Sequence, residues 1–316
     1  MTTTPATGNL LQAEIERPPL TPGQVALRRF IRHRMALVGV GILVALVLYV
    51  TVGTVFFSEA EANYVDLRGK LSPPSWEHPF GTDLGGRDIL ARTIYGGQIS
   101  MIIGILAVVV SVLAGVLIGA IAGFYGGLVD SLLMRFTEAM FNIPQLFLLI
   151  ALAKFFGTQM PAFTLFGRSF SGSVVIIVGV IGLTSWMYLA RIVRSNFLSL
   201  KEQEFVTAAR CAGATDFSLI FEHVLPNTMA PIIVSATLEI ATAILSEAYI
   251  SFLGMGVQPP TATWGNMLNE AYNHLEGAPW MWFFPGTLIL LAVLAINFVG
   301  DGLRDAFDPR SLAATH

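Results

Sequence analysis

Between Met35 and Phe57 the chain runs MALVGVGILVALVLYVTVGTVFF without one charged side chain. An α-helix rises about 1.5 Å per residue, so roughly 17 to 25 such residues cross the hydrocarbon layer of a bilayer. Five more stretches meet that requirement: about 100–124, about 131–153, GSVVIIVGVIGLTSWMYLA ending before Arg191, about 228–253, and WFFPGTLILLAVLAINFVG stopping at Asp301. The third run carries Arg135 and Glu138 in its first two turns, three residues apart, where they can pair on one helix face. The pattern predicts an all-α membrane protein with six transmembrane helices. The first run is too long for a cleavable leader and lacks a small-residue cleavage site, so it is expected to be retained.

Composition agrees with that pattern. Of 316 residues 54% are hydrophobic and 12% charged, with a mean hydropathy of +0.68, whereas soluble domains carry about a quarter charged residues. The formal net charge of -3 argues against a nucleic-acid partner, which calls for clustered Lys and Arg. Cys211 stands alone, so no internal disulfide can form.

The basic residues orient the chain. RRFIRHR precedes the first run, and Arg17, Arg135, Arg191, Arg194, Lys201, Arg210, Arg304 and Arg310 fall on the same side of the expected membrane. Arg68, Lys70, Arg87, Arg92, Lys154 and Arg168 fall on the other. Positive residues in short loops stay cytoplasmic, so both termini are expected inside. The division that follows is a cytoplasmic tail and basic arm (1–34), a first span (35–57), an external loop (58–98), a five-helix core (99–303) and a cytoplasmic tail (304–316). The Thr- and Pro-rich first 24 residues read as mobile.

Two faces carry information. In the second run Ala107, Ser111, Gly115, Gly119 and Gly123 recur every fourth residue and let a neighbouring helix approach closely, as a sliding contact or as static packing. In the fifth, Ser235, Glu239, Ala243, Glu247 and Ser251 form a polar stripe. An acidic side chain at a helix centre in lipid costs about 2.5 to 3.5 kcal/mol, so Glu239 is expected to face protein or water. Glu247 is expected to lie near enough to the outer surface to be solvated. Ser235, Glu239, Glu247 and Ser251 thus line a substrate path or gate, or make interhelical hydrogen bonds.

Catalytic signatures are missing. The chain has no G-x-x-x-x-G-K-[ST], no H-E-x-x-H and no G-x-S-x-G, and His33, His78, His223, His274 and His316 have no ligand spacing. No catalytic residue, metal site or cofactor is expected on this chain.

The long polar interruption SLKEQEFVTAARCAGATDFSLIFEHVLPN (199–227) reads as a short helix. Ser199 and Glu202 fit a capping box that starts it near Leu200, and Gly213 stops it. Phe205, Ala208, Ala209 and Ala212 then share one side. Pro226 resets the chain and Asn227 is placed to cap the fifth span. WGNMLNEAYNHL, apolar at Trp264, Met267, Leu268 and Tyr272, suits a helix lying in the outer membrane interface.

Ala208-Ala209, Gly213 four residues on, and Leu225-Pro226 resemble the signature of binding-protein-dependent ABC importer permeases. HPFGTDLGGRDILARTIYG (78–96), SEAYISFLGMGVQPPTATWGNML (246–268) and FPGTLILLAVLAINFVGDGLRDAFDPR (284–310) narrow the resemblance to the dipeptide/oligopeptide/nickel family, in the subunit type with a basic N-terminal arm. Thr207 stands where that signature has Glu, and His223 replaces an aliphatic residue. The resemblance implies a coupling helix near 200–213 that docks on an ATPase through Glu204, Ala208, Ala209 and Gly213, with Leu225 and Pro226 closing the motif. It further implies a second homologous permease subunit, two ATPase subunits that bind ATP and Mg, an external solute-binding protein, and a bacterial or archaeal cell membrane. Peptide import by alternating access is the expected function; an ion- or proton-coupled transporter working through Glu239 and Glu247 is the alternative.

Overall fold

The computed structural model describes residues 21–156, 160–165 and 168–308. Most of the expected mobile tail, with Arg17, and the C-terminal Arg310 and His316 lie outside the described residues. Helix α1 (Pro22–Arg32) starts inside that expected tail, because Thr21 and Gln24 form a capping box. His33 ends α1 with an extended backbone, and its Nδ1 accepts from the Ala36 amide at 3.0 Å to open α2 (Arg34–Phe56). One side chain therefore separates an amphipathic arm from the first span.

Among the described residues five helices are long and apolar enough to cross a membrane: α2, α3 (Ile89–Tyr125), α6 (Ser173–Leu200), α8 (Met229–Phe252) and α10 (Trp280–Phe307). The third run differs from expectation. It folds as α4 (Gly127–Phe141) and α5 (Gln145–Phe156), bent by 85°. Pro144 causes the break: it cannot donate a backbone hydrogen bond, and it drives Ile143 away from helical geometry. Arg135 and Glu138 form no ion pair among the described residues; the acidic residue of α4 that pairs is Asp130, bound by Arg194.

Helix boundaries also move. At 37 residues α3 starts well before residue 100, capped by Asp88, whose Oδ1 accepts from the Ala91 amide at 2.8 Å. Its first turns, polar at Arg92, Thr93 and Gln98, read as loop because their partners lie elsewhere in the chain. Likewise α6 runs through Arg191 to Leu200, and α10 runs past Asp301 to Phe307. A two-stranded antiparallel ribbon, β1 (Phe163–Leu165) with β2 (Arg168–Phe170), departs from the all-helical expectation.

The small-residue stripe of α3 is the seam against α6. A Cβ on Gly115 would meet the Trp186 carbonyl oxygen at 3.0 Å, and one on Gly123 would meet the Phe197 Cβ at 2.6 Å. Gly119 lies against the Ala190 carbonyl, and Gly182 of α6 answers Ala107, whose carbonyl oxygen would be 2.7 Å from an added Cβ. The stripe is thus consumed by packing within the chain. Helix α8 covers another side of α3, and α10 packs on both α8 and α2. The N-terminal arginines and the ends of α3, α6 and α10 share one end of this bundle, called here the basic end.

Candidate coupling helix and buried polar contacts

At the basic end α6 runs up to the expected helix start, so Ser199 and Leu200 belong to α6 and the expected capping box does not form. Lys201 then turns the chain, its Nζ donating to the Gly123 carbonyl at 2.9 Å and the Phe124 carbonyl at 3.3 Å. Those carbonyls end α3, where unsatisfied acceptors and the helix dipole favour a cation. Arg194 adds a bidentate pair to Asp130 of α4, so three helices are tied at one level.

The short helix that follows, α7 (Glu204–Cys211), has Gln203 as its N-cap without a side-chain bond. Val206 anchors it, 1% exposed, in a cluster with Phe124, Phe197, Leu219 and Val224. Burial of one such aliphatic side chain stabilises by about 1.5 to 3 kcal/mol. Gly213 has φ +90, a left-handed conformation that suits glycine. Its amide donates to the Arg210 carbonyl and the Ala214 amide to the Ala209 carbonyl, both at 3.0 Å, which is a Schellman stop.

This geometry divides the expected face. Ala209 turns toward the Val206 cluster, whereas Glu204, Phe205, Ala208 and Ala212 face outward. Thr207 is also exposed, with its hydroxyl donating to the Gln203 carbonyl at 3.4 Å. Sequence reading missed Phe217 and Phe221, one turn apart and exposed, with ring centroids 4.5 Å apart. Their i, i+4 spacing was the available signal.

Leu225 and Pro226 do not end a helix outright. A π-helical stretch, Leu219–Val224, precedes them. Pro226 cannot donate to the carbonyl four residues back, and a widened turn removes the need for that bond. Leu225 is half-buried against the Val206 cluster and Pro226 is exposed. Asn227 does not cap α8; its side-chain amide donates back to the His223 carbonyl at 2.6 Å, and Thr228 occupies the cap position.

Inside the bundle the polar stripe of α8 meets α3. Ser111 donates to Glu239, and Ser100 donates to Glu247 at 3.0 Å. Ser251 gives Glu247 a second donor at 2.7 Å and accepts from the Val257 amide at 3.2 Å. Glu247 is 0% exposed, contrary to the expectation that it would be solvated. The loop after α8 folds back over it, and the Trp264 amide donates to Ser100 Oγ at 3.2 Å. Glu239 and Ser235 are half-buried.

At the opposite end Asp83, Arg87, Arg92 and Glu270 interlock. Arg87 Nε donates to Asp83 at 2.7 Å and its Nη2 to Glu270 at 2.8 Å, while Arg92 Nη2 reaches Glu270 at 3.3 Å. Glu270 belongs to α9 (Trp264–Ala271), the segment expected to lie in the membrane interface. Instead Trp264 is fully buried and its Nε1 donates to the Thr93 carbonyl at 2.9 Å. Met267 is buried with it, so α9 is a plug between α3, α8 and α10 rather than a surface anchor. Among the described residues no group of three His, Cys, Asp or Glu could hold a metal ion.

The family described as "Binding-protein-dependent transport system inner membrane component" matches residues 115–312. The chain belongs to that family. A second match, "N-terminal TM domain of oligopeptide transport permease C", covers residues 21–74. The chain is 40% identical to the oligopeptide transport system permease protein OppC of Escherichia coli K12 over 91% of each. It is 38% identical to the dipeptide transport system permease protein DppC of Bacillus subtilis 168, over 94% of this chain and 88% of the relative. A crystal structure titled as an inward-facing conformation of the MetNI methionine ABC transporter shares its fold, with a TM-score of 0.51 and 18% identity over 67% of this chain and 94% of the other.

The first family match spans α7, the π-helical stretch and both stripe glutamates; the second spans α1 and α2. Asp83, Arg87 and Arg92 fall between the two. The protein is thus a membrane-embedded transport component rather than an enzyme.

Proposed function

We propose that this chain is a permease subunit of an ATP-driven importer of dipeptides or oligopeptides, working with a second homologous permease, two ATPase subunits and an external solute-binding protein. The single observation that carries the reading is α7: a helix anchored by Val206, stopped at Gly213, and carrying small and aromatic side chains outward at the basic end. The names of the relatives support peptides as cargo. The positive-inside rule supports a cytoplasmic basic end, where an ATPase can reach α7.

ATP and Mg bind the ATPase subunits, and this chain contributes no cofactor site. ATPase closure pushes α7, and through the Val206 cluster and the Lys201 and Arg194 ties that push reaches α3, α4 and α6. The two ATPase states must contact α7 differently, since a contact equal in both would shift nothing. Glu239 and Glu247 act at the gate by fastening α8 to Ser111 and Ser100 of α3, with Ser251 holding Glu247 and Ser235 on the same stripe, so that the two spans move together.

The test is uptake into proteoliposomes holding the permease pair and ATPases, with the loaded binding protein outside. Replacing Ala208, outward and free of internal packing, with Trp should reduce ATP-driven peptide uptake at least tenfold and release the ATPases during purification. Uptake by this chain without ATPases, driven by a proton gradient and lost in Glu239→Gln, would overturn the reading in favour of a secondary transporter.

A further inference from the structure

Helix α1 presents one face to the bundle and leaves another exposed. Ala26 and Phe30 turn inward: Ala26 is buried, and an added Cβ on Gly302 of α10 would lie 3.2 Å from the Phe30 ring. Leu27 and Ile31, one turn apart, are 59% and 53% exposed, and beyond His33 Met35 and Val38 of the first span are exposed as well. Arg28 and Arg32, also a turn apart, are exposed, as is Arg34.

Arg29 donates to the Asp308 carbonyl at 3.1 Å, and His33 Nε2 lies 3.3 Å from Asp305 Oδ2. Among the described residues no carboxylate pairs with Arg28, Arg32 or Arg34. An exposed aliphatic face on an amphipathic helix that leads directly into a membrane span lies where acyl chains meet headgroups. Uncompensated arginines beside it face phosphates, reaching them along their own aliphatic stems.

We propose that α1 is a binding surface for anionic phospholipid. Leu27 and Ile31 lie among the upper acyl chains, and Arg28, Arg32 and Arg34 hold lipid phosphates of the leaflet at the basic end. Aliphatic side chains with flanking cations, and no aromatic among the outward residues of α1, fit a lipid surface better than a protein partner. The proposal rests on the membrane placement of the chain and is independent of its cargo.

The full chain, carrying Cys211→Ser and a fluorophore on Ile31→Cys, is placed in phosphatidylcholine nanodiscs. Nitroxide-labelled phosphatidylglycerol or phosphatidylcholine is added as quencher. Phosphatidylglycerol should quench more strongly, and the preference should fall on the order of fivefold for each of Arg28→Gln and Arg32→Gln. It should also shrink as salt shortens the screening length. Equal quenching by both lipids, a preference unchanged in the double variant, or quenching by neither lipid would overturn the proposal. Loss of the preference to millimolar inorganic phosphate at constant ionic strength would also overturn it, by exposing a free-phosphate site in place of a lipid one.

Discussion

The Ser100 hydroxyl donates to Glu247 Oε2 across 3.0 Å in a fully buried contact between α3 and α8. Glu247 also takes Ser251 Oγ at 2.7 Å, so two hydroxyls converge on one carboxyl. Glu247→Ala removes the acceptor of both. A buried donor left without its acceptor destabilises by about 1 to 3 kcal/mol, so the detergent-solubilised protein should melt several degrees lower. Glu247→Gln keeps one acceptor oxygen and should lose no more than about half of that. Equal melting of Glu247→Ala and the parent would show that the contact is not stabilising.

The seam between α3 and α6 makes a sharper contrast. Gly119 lies against the Ala190 carbonyl, so even a methyl group must push the helices apart. Gly119→Ala should destabilise by about 1 to 3 kcal/mol, the range for overpacking. Gly41, on α2, has nothing within 4 Å of an added Cβ. Gly41→Ala should therefore be neutral or stabilise by up to about 1 kcal/mol through helix propensity. Thermal melts of the two variants side by side test the pair.

Gly213 is different again, because an added Cβ meets nothing within 4 Å and yet φ is +90. Any penalty is then backbone strain rather than collision. Gly213→Ala should cost about 1 to 2 kcal/mol locally, with Gly213→Asn milder. Faster hydrogen exchange at the Gly213 and Ala214 amides, with the global melt unchanged, is the expected signature. Unchanged exchange would mean that the Schellman stop contributes little to holding α7.

These three contacts mark how far the sequence could be read. The apolar runs are legible because length and charge alone decide membrane crossing, and Gly213 is legible because a left-handed helix stop favours glycine. The bend at Pro144 is written in the sequence but lies inside a run apolar enough to hide it. Glu247 is not legible, since its environment depends on Ser100, 147 positions away, and on a loop that folds back over it. Trp264 fails for the same reason: a short amphipathic helix looks alike whether it faces headgroups or its own bundle, and only the distant Thr93 carbonyl distinguishes them. Local periodicity reports what a segment needs to bury, and tertiary partners decide against what.

The opposite-end knot gives the largest expected effect. Arg92 has a side chain only 3% exposed, and its Nε and Nη1 have no hydrogen-bond partner. What compensates its charge is Glu270 at 3.3 Å and Asp83 at 3.4 Å from Nε, and Arg87 competes for both carboxylates. Removing one partner of a buried ion pair destabilises by about 3 to 5 kcal/mol, because the remaining charge stays out of water. Glu270 is 25% exposed, so Glu270→Ala should fall at the lower end of that range, about 3 kcal/mol. Adding Arg92→Met to Glu270→Ala removes the stranded cation together with its acceptor. The double variant should recover at least half of the loss, measured as the denaturation midpoint of the full chain in detergent. A double variant less stable than Glu270→Ala alone would mean that Arg92 holds α3 to α9 by packing rather than by charge.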